Sequence, residues 1–122
     1  MEMLDANIIL RFLLNDNEKM ADEAEKIIRG GTAQVTIEVI AEVVYVLKGV
    51  YSIERDTIKS SLLDFLSEVQ TTEPEVMKLG LKTYAEHNLD FVDCILYAYN
   101  RVKGYGIKTF DKKLKQLLEK KD

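Results

Sequence analysis

"MLDANIILRFLL", Met3 to Leu14, is a short apolar segment that turns on one aspartate and continues as a long apolar run. The change of pattern at Asp5 reads as a buried strand over residues 2–5 and a helix over roughly 7–14. A strand feeding directly into a helix is the repeating unit of an α/β fold. The alternation recurs downstream. After a polar break at Asn15–Asn17, "EKMADEAEKIIRGG" has the spacing of an amphipathic helix closed by Gly30 and Gly31. "AQVTI" is the next strand, and "EVIAEVVYVLKGVY" a helix apolar almost all round, hence expected to be buried. "SIERDTIKSSLLDFLSEV" reads as a surface helix, and the turn-like "QTTEPEV" has room for a short strand. Two more helices cover "EVMKLGLKTYAEHN" and residues 90–103. "IKTF" follows the Gly104–Gly106 break as a strand, and "DKKLKQLLEKKD" as a charged terminal helix with Leu114, Leu117 and Leu118 inward.

In the helix of residues 90–103, Val92, Ile95, Leu96, Tyr99 and Val102 recur at the spacing of one face. The whole pattern predicts one α/β domain over residues 1–122 with a parallel sheet. Right-handed crossovers would place every strand's C-terminal end on one edge, where open α/β sheets bind ligands.

Composition fits this reading. The 122 residues are 47% hydrophobic and 31% charged, the balance of a globular domain with a real core. The longest apolar run contains Glu42, so no segment is expected to span a bilayer. The acidic N-terminus lacks the basic region of a signal peptide, and a cytoplasmic protein is expected. A single cysteine, Cys94, excludes an internal disulfide and a cysteine-rich zinc site. A net charge of −4 speaks against nucleic-acid binding by bulk electrostatics. It leaves room for an enzyme that gathers acids at one spot and meets phosphates through bound cations.

The acids fall where such a site would lie. Asp5 closes the first strand; Glu38 follows "QVTI", with Glu42 one turn later; Asp90 and Asp93 open a helix; Asp111 closes "IKTF", two residues after Thr109. Each has a plain alternative. Asp5 and Asp111 would serve as N-caps, Asp90 with Asp93 resembles a capping box, and Glu38 suits a helix dipole. Glu42 resists that treatment, because a carboxylate buried inside "VIAEVVYV" would need a partner from elsewhere, such as a metal ion. Clustered carboxylates without histidine or cysteine favour Mg²⁺ or Mn²⁺, which activate water and clamp a phosphodiester. His87 reads as a capping or exposed residue, Cys94 as a small buried filler, and Tyr97 and Tyr99 as packing. Lys112 and Lys113 suit a solvated face or substrate phosphates.

"MLDANIILRFLL", "EVVYVLKGVY", "LDFVDCILYAY" and "IKTFDKKL" together resemble the signature segments of PIN-domain ribonucleases, particularly VapC-type toxins. The resemblance runs through nearly the whole chain in order. It implies an α/β/α sandwich with a parallel sheet of four or five strands. It also implies a divalent-metal site that cleaves RNA, and frequently a homodimer inhibited by a small antitoxin. The family's acids match Asp5, Glu42, Asp93 and Asp111 as catalytic metal ligands (Mg²⁺ or Mn²⁺). Thr109 matches as a hydrogen-bonding companion, Asn7 occupies the polar position after Asp5, and Asp90 is left as a cap. Many relatives continue into a last edge strand, which the sequence lacks after "LLEKKD", so four strands are expected.

Two rivals stand beside this reading. A receiver-type phosphoacceptor domain also holds Mg²⁺ in an acid pocket, but it wants adjacent acids after the first strand, and "LDAN" has none. A PIN-like module that binds RNA or protein without cleaving is the other.

Overall fold

Each strand runs almost at once into a helix start in the structure, a computed structural model that describes residues 1–120. Strand β1 (Glu2–Met3) precedes α1 (Ala6–Leu14) and α2 (Glu18–Arg29). Strand β2 (Ala33–Val35) precedes α3 (Ile37–Gly49) and α4 (Arg55–Leu66). Strand β3 (Gln70–Thr71) precedes α5 (Pro74–Glu86), α6 (Phe91–Lys103) and α7 (Lys112–Glu119). The terminal helix expected over residues 111–122 is thus described to Glu119, and its last two positions lie outside the described residues.

Local chemistry fixes these boundaries. The side chains of Asp5, Asn17, Thr36 and Asp111 each accept the backbone N–H three residues on, at 3.0, 3.1, 3.4 and 2.8 Å. Each satisfies a donor that the first helical turn leaves free. Asn15 closes α1 in the left-handed region at φ 51°, a conformation asparagine tolerates, and Gly104 closes α6 at φ 74°.

The strands form one parallel sheet in the order β1-β2-β3, with Met3 level with Gln34 and Val35 level with Thr71. The α/β class is as expected, but among the described residues the sheet has three strands rather than four or five. The segment 107–110, expected as a strand, joins no ladder. Its burial alternates, with Ile107 and Thr109 half-buried and Lys108 and Phe110 exposed. Thr109 spends its side chain on a local turn, accepting the Asp111 N–H at 3.0 Å. A strand-like pattern therefore exists without a ladder, since among the described residues no backbone–backbone hydrogen bond reaches this segment.

Parallel pairing puts Asp5, just beyond β1, and Thr36, just beyond β2, at the same edge of the sheet. One hydrophobic core joins residues from every helix and from β2, including Ile9, Ile28, Val35, Ile40, Phe65, Leu81, Cys94 and Leu117. Helices α5 and α6 pack closely: a Cβ on Gly80 would lie 2.5 Å from Ile95 Cδ1. Phe65, on the helix read as lying at the surface, is 1% exposed, and Phe12 packs beside it with ring centroids 6.2 Å apart. Among the described residues, no helix is long and apolar enough to cross a membrane.

Candidate active site

Helix α6 turns Phe91, Cys94, Ile95 and Ala98 into the core. This corrects the expected stripe, since Val92 and Val102 face solvent and only Ile95 is shared with the buried face. With that rotation Asp93, in the first turn, is half-buried at the rim of the core. Asp90 takes the N-cap position, but its side chain makes no capping bond, so the capping box expected of Asp90 and Asp93 does not form.

Asp111 reaches the same place from α7. Its carboxylate caps that helix through the Leu114 N–H, while its own N–H is held by Thr109 Oγ1. Asp93 and Asp111 line one open hollow of about 470 Å³ with Asp90, Lys112, Lys113 and Phe110. Burial, then the Asp111 and Asp90 charges, push the Asp93 carboxyl above the ordinary aspartate range. The structure thus brings Asp93, Asp111 and Asp90 together, with Thr109 holding the backbone of one of them.

Asp5 and Glu42 are not in that hollow. Asp5 is exposed at the start of α1, with Oδ1 accepting the Ile8 N–H, and Asn7 beside it is exposed. Glu42 is exposed as well, in contrast to the expected burial. Helix α3 buries Ile40, Val43, Val44 and Leu47 on one side, which leaves Glu38, Glu42 and Tyr45 on the other. Its carboxylate is solvated, and the cost that would have demanded a partner does not arise.

Among the described residues, no three His, Cys, Asp or Glu side chains gather closely enough to hold a metal ion. The Asp93–Asp111 pair is a smaller donor set. It is made of hard oxygens only, and the Asp111 charge raises the cost of ionising Asp93. Mg²⁺ commonly takes one or two protein carboxylates and completes its shell with water and phosphate oxygens. The pair fits such an ion in that limited sense.

Sequence reading missed one residue that shapes the site. Arg55, half-buried at the start of α4, donates through Nη1 to the carbonyls of Tyr84, His87 and Leu89 at 3.0, 2.8 and 2.8 Å. Its guanidinium lies 4.1 Å from the Tyr84 ring centroid. It therefore pins the turn that delivers Asp90 and Asp93. The available signal was a cation in a first helical turn, where the dipole disfavours positive charge. His87 is the C-cap of α5, its N–H bonded to Thr83 O. Cys94 is fully buried, and burial pushes its thiol up to about 12, which makes it filler rather than nucleophile. Tyr99 stacks on Tyr105 and Tyr97 lies under Arg101, both within the chain's own packing.

No curated protein and no solved structure shows a significant match to the chain. A family model described as the PIN domain matches residues 3–120. That span takes in the three described strands but for Glu2, the seven described helices and every acid considered above. The chain belongs to the PIN-domain family.

Proposed function

We propose that the protein is a divalent-metal-dependent endoribonuclease, the toxin of a toxin–antitoxin pair, acting as a homodimer restrained by a small antitoxin. PIN domains are in general nucleases, which supports the reaction class. The observation that carries the reading is the hollow in which Asp93 meets Asp111, with lysines on its rim.

In this reading Asp93 and Asp111 hold Mg²⁺ or Mn²⁺, and the resemblance assigns Asp5 and Glu42 to the same set. The ion, when bound, neutralises the carboxylates and supplies an activated water and a clamp on the phosphodiester. The chain's own residues do the positioning. Thr109 fixes the backbone of Asp111, the α7 cap fixes its carboxylate, and Arg55 fixes the turn before Asp93. Lys112 and Lys113, exposed on the rim, face flanking phosphates.

A second reading, a PIN-like module that binds without cleaving, is favoured by the absence of a three-ligand group among the described residues. Cleavage of labelled RNA separates the two. The nuclease reading expects cleavage with Mg²⁺ or Mn²⁺, none after EDTA, and no response to a zinc-selective chelator. Asp93→Asn and Asp111→Asn should each lose roughly a hundredfold or more, the scale on which one electrostatic group in a site is felt. Asp5→Asn and Glu42→Gln test the outlying pair in the same assay. RNA binding without cleavage, unaffected by Asp93→Asn, would establish the second reading instead.

A further inference from the structure

Phe110 is 98% exposed, although it sits between two residues held by hydrogen bonds. The other three phenylalanines have aromatic neighbours: Phe12 with Phe65, and Phe91 with Tyr84. Phe110 instead forms a ridge between two hollows. One holds Asp90, Asp93 and Asp111 with Lys112 and Lys113 on its rim; the other, of about 640 Å³, is lined by Lys108, Lys115, Glu119 and Leu118 among others. The Lys115 ammonium lies 5.8 Å from the ring centroid. Residues 108–115 thus carry four lysines against one aspartate, in a chain whose net charge is −4.

We infer that Phe110 is a substrate-binding residue on which an unpaired base of the RNA strand stacks, beside the hollow that takes its phosphate. This deepens the nuclease reading and rests on it for the identity of the strand. A bare ring flanked by cations is the combination that single-stranded nucleic acid uses, because every base has a π face and every linkage a charge. A second copy of the chain is a poorer fit, since lysine is depleted in the cores of protein interfaces. Thr109 and Asp111, each tied by a backbone or capping bond, present the ring on fixed backbone, so little ordering is needed on binding. The inferred specificity is for unpaired nucleotides, since a base inside a duplex offers no free face to Phe110.

The chain contains no tryptophan, so Phe110→Trp installs a single reporter. The probes are an unstructured RNA of about ten nucleotides and an abasic strand with the same phosphates, in EDTA so that neither is cut. The base-bearing strand should quench the tryptophan saturably, and the abasic strand should not. By anisotropy, Phe110→Ala should weaken RNA binding roughly 5- to 150-fold, the loss of one base stack. Phe110→Trp should bind at least as tightly as the wild type. Absent quenching where the RNA binds, equal quenching by the abasic strand, or no RNA binding by the wild type would each overturn the inference. So would a Phe110→Ala variant with unchanged RNA affinity and a smaller oligomer by light scattering, which would assign the ring to a second copy. Quenching by RNA without cleavage in Mg²⁺ or Mn²⁺ supports the stack and sinks the nuclease reading alone.

Discussion

Three aspartates begin helices here, and they are not equivalent. Asp5 and Asp111 complete a capping bond, whereas Asp90 only occupies the position. Asp111→Ala should therefore cost about 1 kcal/mol by urea denaturation, and Asp90→Ala less than about 0.5 kcal/mol. Asp111→Asn keeps a capping oxygen but loses the charge, so it should retain stability while losing cleavage. Asp93 makes a different prediction. Its carboxyl holds a proton more tightly folded than unfolded, so its contribution to stability is present when it is protonated. That contribution is lost as pH rises from the unfolded aspartate value through the raised folded one. Asp93→Asn should accordingly melt at or above the wild type at pH 7 without divalent cations, and the gap should close at acid pH. A lower melting temperature at pH 7 would mean that the Asp93 charge stabilises the fold. Among single residues, the positions of Asp93 and Asp111 at helix starts were legible because a helix start after an apolar segment marks each one. Glu42 was not: valines and isoleucines crowd α3 on several sides, and composition does not say which side meets the core.

At the scale of elements the same ambiguity recurs in α6. Two stripes of apolar residues, one residue apart, both satisfy helical spacing, and contact with α5 selects the one containing Phe91 and Cys94. Gly80 lets that contact form, and the sequence showed only a glycine inside a helix. Gly80→Ala gains about 1 kcal/mol of helix propensity but drives a methyl into Ile95 Cδ1, a clash worth roughly 1–3 kcal/mol in a packed core. A net destabilisation of about 1 kcal/mol is expected. Ile95→Val removes the opposing methyl, so the double variant should be more stable than the sum of the singles, a coupling readable from a denaturation cycle. Additivity would show that the contact with Ile95 Cδ1 is relieved at no cost. The places of the first two strands and the cap at Asp5 were readable because strand, polar cap and helix follow each other within a few residues. But the first strand, expected to be buried, is exposed at Glu2 and Met3, and Thr36, read as part of the second strand, caps α3 instead. The segment 107–110 was misread for a physical reason: alternation describes side chains, whereas a strand is defined by its backbone partners.

The whole molecule carries an uneven surface. Tyr45 is 76% exposed, Val50, Tyr51 and Val92 are exposed too, and Tyr45 and Val92 line a hollow of about 440 Å³ with Lys48, Arg55 and Tyr84. Phe65, buried in the core, plays no part in this surface, and Phe12 packs against it. An apolar patch of this kind suits a twofold contact. Light scattering should give a dimer, and Tyr45→Glu combined with Val92→Glu should give a folded monomer. A monomeric wild type at high concentration would remove the dimer from the proposed function. One buried atom turns global opening into something that can be timed. The Cys94 sulfur is the chain's only thiol, has no access to solvent and resists ionisation, so a thiol reagent reaches it only when the core comes apart. For a domain of ordinary stability the unfolded fraction is of the order of 10⁻³ to 10⁻⁶, and labelling should be slower than that of a free thiol by a similar factor. Labelling is then an unfolding clock that runs without denaturant. Any ligand that binds only the folded chain must slow it, whether cation, RNA or partner, and the slowing reports affinity even where no product is formed.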